Sequence, residues 1–254
     1  MNKGYMSSEY YFNSMTEKFV YNLDDALRLI KKKIKSRSAF TIFSLNLHAL
    51  SNIQRNYMYK EAVSKADALR FDGLMAIKYV NYFVSNRKIE KVSAHKLMND
   101  LYENLPSSAS YYFLGGEKGV AEQAANNINN IFPCVNVVGT RSGYFDDIEE
   151  KKILIDINNK SPDVLLVGLG MPLQENWICQ NKERINVGVV ISCGGYIEQV
   201  SETGIEYFPE WGYRLGLNWL YRIIKEPRRM IKRYVFDFLI FIIWLVKEII
   251  RTEN

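Results

Sequence analysis

The sequence predicts an α/β protein with a Rossmann-like, mostly parallel sheet flanked by helices and a basic, amphipathic helical appendage at the C-terminal end. Two observations predict this fold class: short apolar runs alternate with helical patterns, and glycine or polar residues follow many of those runs. With 254 residues, 48% of them hydrophobic, the chain can bury a complete core. We expect residues 1–204 to form the α/β domain and residues 205–254 the appendage.

Six short runs of apolar or β-branched residues predict the strands of a buried parallel sheet. They cover residues 39–45, 68–71, 110–114, 135–138, 163–167 and 188–192. Helical patterns cover residues 22–34, 53–65, 73–83, 118–131, 148–159 and 174–182. This alternation gives repeated βα units. Apart from the helix over residues 22–34, the first 37 residues give no indication of a function.

Glycine or polar residues follow the predicted strands at the edge where parallel sheets bind ligands. These strand ends are Asn46 and His48, Asp72-Gly73, Gly115-Gly116, residues 139–143, residues 168–170, and Gly194-Gly195. Because the carboxyl ends of parallel strands share one edge, we expect these residues to converge on one crevice.

The most informative stretch, residues 167–177, combines a buried strand, a glycine turn and a helix start. Gly168 and Gly170 allow the backbone to pass close to a ligand, and Pro172 favours the first helical turn. Free N–H groups at such a junction can bind a phosphate. The alternative is a tight turn without a ligand, which the glycine spacing alone does not exclude.

The formal net charge of +5 resides entirely in the tail. From Trp211 onward there are nine Lys or Arg and four Asp or Glu residues, while the remaining 24 basic and 24 acidic residues cancel. Residues 238–246 are an apolar run of nine, too short for a bilayer span of about 20. We therefore expect a helix in the interface of an anionic membrane, with packing on the domain or on a partner subunit as the alternative. The basic residues expected on a preceding helix are Arg222, Lys225, Arg229, Lys232 and Arg233.

Other features of the sequence exclude several classes of function. Nucleic acid is not an expected partner, because no recognised motif accompanies the basic charge. The three cysteines are far apart and lack the spacing of metal ligands: Cys134, Cys179 and Cys193. We therefore expect reduced thiols and a cytoplasmic chain. His48 and His95 are the only histidines, which excludes a histidine-rich metal centre. No secretion signal is visible in the first residues.

Several motifs follow one another in a fixed order. They are Asp72-Gly73, Gly115-Gly116, Gly143-Tyr144-Phe145, residues 162–177, Gly194-Gly195, and residues 216–222 followed by Glu226-Pro227-Arg228-Arg229. Together they resemble the WecG/TagA/CpsF family of bacterial glycosyltransferases over roughly residues 40 to 234.

The resemblance implies an inverting transferase that moves a sugar from a UDP-sugar donor to a polyprenyl-diphosphate-linked saccharide during synthesis of surface polysaccharides. The implied sugar is N-acetylmannosamine or its uronic acid. The resemblance also implies chemistry without a metal or another cofactor, and a peripheral position on the inner face of the plasma membrane. There the appendage would help to close the site, and a homo-oligomer is left open.

The resemblance assigns four catalytic positions. Asp72 corresponds to the family's catalytic aspartate and would accept a proton from the acceptor hydroxyl; its alternative role is to cap the following helix. Ser44 and Asn46 would position the donor sugar, or else satisfy local backbone groups. Lys91 replaces a family arginine and would offset diphosphate charge, or else is a solvated surface lysine.

The same resemblance places UDP across the glycine-lined strand ends. The implied substrate-binding residues are Gly73, Gly115, Gly116, Gly143, Tyr144, Gly168, Gly170, Pro172, Gln174, Glu175, Gly194 and Gly195. Gln174 would offer its amide to uracil or phosphate, Glu175 is better explained by the helix dipole, and Trp177 is expected in the core. Without an Asp-x-Asp motif, arginines would offset the charge on the departing UDP. The candidates are Arg222, Arg228, Arg229 and Arg233.

Some positions depart from the family pattern around the expected sugar and acceptor contacts. They are Tyr207-Phe208, Asn218, residues 94–97 and Glu198. They leave open a hexose or another N-acetylhexosamine as the transferred sugar. A UDP-sugar-binding partner in an assembly complex that has lost turnover is the non-enzymatic alternative, against which the retained Asp72 argues.

Overall fold

The computed structural model describes residues 8–209, 212 and 217–252. Its centre is one parallel sheet whose strand order is β2-β1-β6-β5-β3-β4. The strands are β1 (Phe40–Leu45), β2 (Ala68–Phe71), β3 (Ser110–Gly115), β4 (Asn136–Arg141), β5 (Val164–Gly168) and β6 (Val189–Ser192). The predicted fold class is confirmed, and each strand lies within two or three residues of its predicted bounds.

Helices cover both faces of the sheet. They are α1 (Ser8–Asn13), α2 (Leu23–Lys33), α3 (Leu47–Arg55), α4 (Tyr57–Lys65), α5 (Leu74–Phe83), α6 (Ala94–Asn104), α7 (Val120–Ile131), α8 (Asp147–Lys160), α9 (Leu173–Asn181), α10 (Tyr196–Thr203), α11 (Asn218–Lys225) and α12 (Pro227–Thr252). The single helix expected over residues 53–65 is wrong. Asn56 separates α3 from α4 and caps α4, because its extended backbone lets Oδ1 accept the Tyr59 N–H at 3.0 Å.

The core has two layers, one on each face of the sheet. Along β5, Val164 and Leu166 pack in the layer of α2, α6, α7 and α10. Leu165 and Val167 pack in the opposite layer, which contains residues of α3, α4, α5, α8 and α9. Burial on both faces explains why this strand is apolar throughout instead of alternating with polar residues.

The C-terminal helix α12 is 26 residues long and packs on α3. Met230, Phe241 and Trp244 are buried, and the Trp244 ring centroid lies 4.2 Å from that of Tyr79 on α5. The opposite face exposes apolar side chains: Ile231, Val235, Phe238, Leu239, Ile242, Ile243 and Val246. Over the described part of the chain, no helix has the length and apolar character needed to cross a membrane.

The basic residues of the tail are arranged differently from the prediction. Arg229, Lys232 and Arg233 were expected on a helix before the apolar run, but they lie on the first turns of α12 itself. The helix break falls earlier, at Glu226, because Pro227 begins a new helix. Apolar and basic residues therefore share one continuous helix.

Candidate active site

The glycines at the carboxyl edge of the sheet lie against one another. A Cβ atom added to Gly115 would lie 2.7 Å from the carbonyl oxygen of Gly168. One added to Gly168 would lie 2.8 Å from the carbonyl oxygen of Gly194, and one added to Gly143 would lie 3.1 Å from the Gly115 Cα atom. The structure thus brings these predicted residues together, and their close backbone packing requires glycine.

Two other glycines leave open space at this edge. Gly170 and Gly194 have φ angles of +77° and +58°, and apart from the flanking residues no heavy atom of the described part of the chain lies within 4 Å of the Cβ that either lacks. Positive φ favours glycine at both turns. Tyr144, 71% exposed, follows β4 in a loop whose Gly143 N–H bonds the Gly116 carbonyl oxygen at 2.8 Å. Open backbone and an exposed aromatic ring are groups to which a nucleotide could bind.

Asp72 stands at the carboxyl end of β2, where its N–H bonds the Leu45 carbonyl oxygen at 2.9 Å. Its side chain is 26% exposed, and Oδ2 lies 3.7 Å from Nη1 of Arg70. Gly73 is the N-cap residue of α5, and no side chain provides a capping hydrogen bond there. The alternative role of Asp72 as a helix cap is therefore not what the structure shows.

Asn46 and Ser44 lie beside Asp72 on the neighbouring strand end. Asn46 caps α3 through Oδ1, which accepts the Ala49 N–H at 3.0 Å, and its Cβ would be 3.1 Å from one added to Gly73. Ser44 is almost buried and is paired in register with Arg70. Asn46 thus satisfies a local backbone group, which is the alternative role that the sequence left open. Contacts of Asn46 or Ser44 with the donor sugar stay predictions.

Lys91 is half-buried in the segment that runs along the end of β2. Its neighbour Val92 donates its N–H to the Phe71 carbonyl oxygen at 2.8 Å, which fixes this segment one residue from Asp72. The position is compatible with a cation near a diphosphate, and that role stays a prediction.

Gln174 and Glu175 point into the protein instead of toward the crevice. Gln174 is 2% exposed; its Nε2 donates to Glu175 Oε1 at 2.7 Å, and its Oε1 accepts the Gly194 N–H at 3.1 Å. Glu175 is fully buried, and burial raises its pKa to about 7. In this structure both sides of the Gln174 amide are used internally, and a contact with uracil or phosphate stays a prediction.

The start of α9 also differs in detail from the prediction. Pro172 is the N-cap residue, with φ −92° and ψ 2°, and the helix begins at Leu173. The Met171–Pro172 peptide bond is cis. Trp177 is 6% exposed and belongs to the core, as expected.

A buried histidine with aromatic neighbours lies next to the site, and the sequence did not indicate it as a functional residue. His95 at the start of α6 donates from Nε2 to Oε1 of Gln199 at 2.8 Å, and its ring stacks on Tyr207 at 6.1 Å between centroids. Burial lowers the pKa of His95. The negative charge of Asp72 acts against this effect, and the positive charge of Arg222 adds to it. The sequence did contain a signal for this region, because residues 94–97 and Tyr207 are among the positions that depart from the family pattern.

The four candidate arginines occupy different positions. Arg222 on α11 is half-buried, and its charge acts on both His95 and Tyr207. Arg229 pairs with Glu226 at 2.9 Å, Arg233 lies 3.8 Å from Asp237, and Arg228 is exposed. Arg222 is thus the member of this set that the structure connects to the neighbourhood of Asp72. The motif residue Gly216 lies outside the described residues.

Within residues 8–209, 212 and 217–252, no cluster of three or more His, Cys, Asp or Glu side chains is arranged to hold a metal ion. The site consists of one carboxylate, open glycine turns, a buried histidine and an arginine at the carboxyl edge of a parallel sheet. This is the edge at which α/β proteins of this class bind ligands.

Comparison with known proteins identifies the family. The chain matches the glycosyl transferase WecG/TagA/CpsF family over residues 16–254, and it belongs to that family of glycosyltransferases. It is 31% identical to the UDP-Gal:alpha-D-GlcNAc-diphosphoundecaprenol beta-1,4-galactosyltransferase of Shigella boydii, over 76% of this chain and 82% of that protein.

Two further relatives carry the name N-acetylglucosaminyldiphosphoundecaprenol N-acetyl-beta-D-mannosaminyltransferase. The one from Bacillus subtilis (strain 168) is 24% identical over 86% of this chain and 82% of that protein. The one from Bacillus spizizenii is 24% identical over 69% of this chain and 67% of that protein. The family expected from the sequence motifs is confirmed.

Proposed function

We propose that this glycosyltransferase moves a sugar, with inversion, from a UDP-sugar to N-acetylglucosaminyl-diphosphoundecaprenol during synthesis of a bacterial surface polysaccharide. The observation that carries the proposal is the partly exposed Asp72, 26% accessible, at the same carboxyl edge of the sheet as the open glycine turns. The names of the relatives support the acceptor, because all three mention a GlcNAc-diphosphoundecaprenol.

The chemistry requires a base on one side of the sugar and a place for UDP on the other. Asp72 accepts the proton of the acceptor hydroxyl as that oxygen attacks the anomeric carbon. The bond from the anomeric carbon to the UDP oxygen breaks at the same time, so UDP leaves from the opposite face. The open turn at Gly170 offers backbone N–H groups to the diphosphate, and the turn at Gly194, whose own N–H bonds Gln174, leaves space beside it.

Negative charge develops on UDP as it departs, and a cation is needed to offset it. Arg222 is suited to this role because its planar guanidinium can bind phosphate oxygens in pairs. Its neighbour Tyr221 contacts the rings of Tyr207 and Phe208, and both of these rings lie against His95. These contacts hold the Arg222 turn of α11 close to the site. The appendage therefore supplies a part of the site that residues 1–204 lack.

The identity of the donor sugar has two candidates. The higher identity to the Shigella boydii enzyme favours UDP-galactose, which belongs to the hexose alternative left open by the sequence. The two Bacillus relatives favour UDP-N-acetylmannosamine, the sugar implied by the motifs. We propose galactose first, because positions such as His95 and Glu198 depart from the pattern on which the mannosamine expectation depends.

The exposed face of α12 supports a peripheral position on the membrane. It presents apolar side chains along a helix whose first turns carry Arg228, Arg229 and Lys232. Apolar insertion combined with cationic attraction is the usual mode of an interfacial helix on an anionic bilayer. Such docking would bring Arg222 and the lipid-linked acceptor together.

The test is a donor screen with a short-chain GlcNAc-diphospho-lipid as the acceptor and UDP release as the readout. We expect release with UDP-galactose that depends on the acceptor, and a loss of at least about a thousandfold in Asp72→Asn. A matched control is Asp24→Asn, which changes an exposed aspartate in the first turn of α2. Binding of UDP-sugars without any turnover would instead favour the non-catalytic partner.

A further inference from the structure

A fully buried arginine lies directly behind the candidate base. Arg70 is 1% exposed, although arginine is almost never buried without partners. It lies on β2 two residues before Asp72, so both side chains leave the chain on the same face. Its Nη1 atom is 3.7 Å from Asp72 Oδ2.

Two backbone carbonyl groups hold the guanidinium in place. Nη1 donates to the carbonyl oxygen of Val92 at 2.8 Å, and Nη2 donates to that of Ser192 at 3.2 Å. Val92 belongs to the segment before α6 and Ser192 ends β6, so the arginine connects both to the end of β2. The planar fork that makes these two bonds restricts the position of the charge.

A second carboxylate acts on Arg70 from the core. The charge of Glu175 on α9 favours the charged form of Arg70, and Arg70 favours the ionised form of Glu175. The Ser192 hydroxyl bonds the Glu175 carboxylate and accepts the Ser44 N–H at 3.3 Å. These side chains form a buried polar layer beneath Asp72 and Ser44.

This layer is costly, which indicates a purpose other than stability. Burial lowers the pKa of Arg70, and the carboxylates of Asp72 and Glu175 act against that effect. Replacement of buried charges by apolar residues is often neutral or stabilising. Buried apolar residues, Leu69 and Phe71, occupy the neighbouring positions on β2.

What the charge does for the site follows from its position. A general base must be held within hydrogen-bond reach of the proton that it accepts. The guanidinium restrains the rotation of the Asp72 side chain, since one carboxylate oxygen lies 3.7 Å from it. Orientation within a fraction of an ångström strongly affects the rate of a transfer step.

We propose that Arg70 is a positioning residue of the transfer step, which orients the Asp72 carboxylate from inside the protein. The proposal rests on the function proposed above, in which Asp72 is the base. Arg70 does not touch the substrate, because it is enclosed by protein.

Several other charged or titratable groups lie around this pair. Burial raises the pKa of Glu175 to about 7 and that of Cys193, after β6, to about 12. Burial also lowers the pKa of His95 on α6, which disfavours its charged form. Among the described residues, Lys91 and Arg222 are the other cations of this region, and Arg70 is the one that forms an ion pair with Asp72, at 3.7 Å.

The experiment measures kcat and the donor KM of the full chain at one pH. Arg70→Lys keeps the charge and loses the fork, so kcat should fall about tenfold with KM changed by less than about twofold. Arg70→Gln also removes the charge, so kcat should fall further than in Arg70→Lys, again with KM changed by less than about twofold. The exposed Arg28→Gln is the matched control and should change neither quantity.

A double-mutant cycle separates positioning from a general structural effect. In the Asp72→Asn background, Arg70→Gln should cause no further loss of the residual transfer, because the arginine acts through the missing carboxylate. If Arg70→Gln does not fold, the combined Arg70→Gln and Glu175→Gln variant removes both buried charges. That variant should fold and show the same loss of kcat with little change in KM.

The possible failures are distinguishable. An unchanged kcat in Arg70→Gln, or an equal loss in the presence and absence of the Asp72 carboxylate, overturns the role of Arg70 and leaves Asp72 as the base. Full transfer by Asp72→Asn overturns the assignment of the base itself, and the role of Arg70 with it.

Discussion

The Asp237 carboxylate lies 2.7 Å from Nδ1 of His48, and this contact joins the C-terminal helix α12 to the first turn of α3. Asp237 is 1% exposed although it lies in the middle of a largely exposed helix. Burial alone would raise its pKa, but the bond to His48 and the nearby Ser51 hydroxyl and Arg233 lower it overall. Because His48 lies two residues after Asn46, the contact connects α12 to the carboxyl end of β1.

We predict that Asp237→Asn lowers the free energy of unfolding by about 1–3 kcal/mol at neutral pH, since it weakens a buried polar contact. The pKa of Asp237 is lowered in the folded protein, so its contribution is complete above the ordinary carboxyl pKa of about 4 and is lost as the pH falls below it. The difference between wild type and variant should therefore shrink on acidification. Urea unfolding at several pH values measures it.

Glu61→Gln is the control for this prediction. Glu61 pairs with Lys65 at the same 2.7 Å, but both side chains are exposed, so the urea midpoint should change little. Equal effects of the two substitutions, or a difference at Asp237 that does not depend on pH, would contradict the importance of the buried contact.

We predict that Gly115→Ala destabilises the protein by about 1–3 kcal/mol, because the new Cβ would lie 2.7 Å from the backbone oxygen of Gly168. Gly195→Ala is a matched control for stability. Gly195 has φ −80°, and its Cβ would lie 3.5 Å from the nearest atom, on the Gln199 side chain. Thermal unfolding should therefore separate the two variants. Similar melting temperatures would mean that the strand ends can move apart.

The parallel sheet could be predicted because its strands are buried on both faces. Runs such as residues 163–167 are continuously apolar for that reason, and the glycines after them are required where strand ends touch. The convergence of Asp72, Asn46 and the glycines then follows from the rule that parallel strands share a carboxyl edge.

Other features could not be predicted, for physical reasons. Helix α6 has a capping serine, Ser93, and buried Leu97 and Leu101 at helical spacing, but polar residues between them hid the pattern. The inward direction of Glu175 depends on partners far away in sequence, such as Arg70 and Ser192, which no local pattern reveals. For the same reason, the buried position of Arg70 could not be inferred from its strand.

The three cysteines should differ in reactivity. Burial raises the pKa of Cys179 to about 11 and that of Cys193 to about 12, which keeps both as unreactive thiols at neutral pH. Cys134 is exposed. We predict that a thiol reagent modifies one cysteine in the native protein and all three after denaturation. Peptide mapping should identify Cys134, and rapid native labelling of Cys193 would contradict the closed packing around β6.

Membrane binding should depend on the exposed face of α12. We predict that Leu239→Gln combined with Ile243→Gln, at positions 55% and 57% exposed, weakens binding to anionic vesicles at least about tenfold, because two apolar side chains no longer insert. Folding should be unaffected, since the buried Phe241 and Trp244 remain. Flotation with phosphatidylglycerol vesicles measures the binding.

The matched control for the membrane prediction is Ile148→Gln combined with Ile155→Gln, which changes two exposed isoleucines of α8. If α12 inserts, this control binds vesicles like the wild type, while the α12 variant loses both binding and transfer to an acceptor embedded in those vesicles. Transfer by the α12 variant to a water-soluble, short-chain acceptor should persist, because Asp72 and Arg222 are unchanged. Vesicle binding equal in both variants would mean that this apolar face packs against another protein chain instead of lipid.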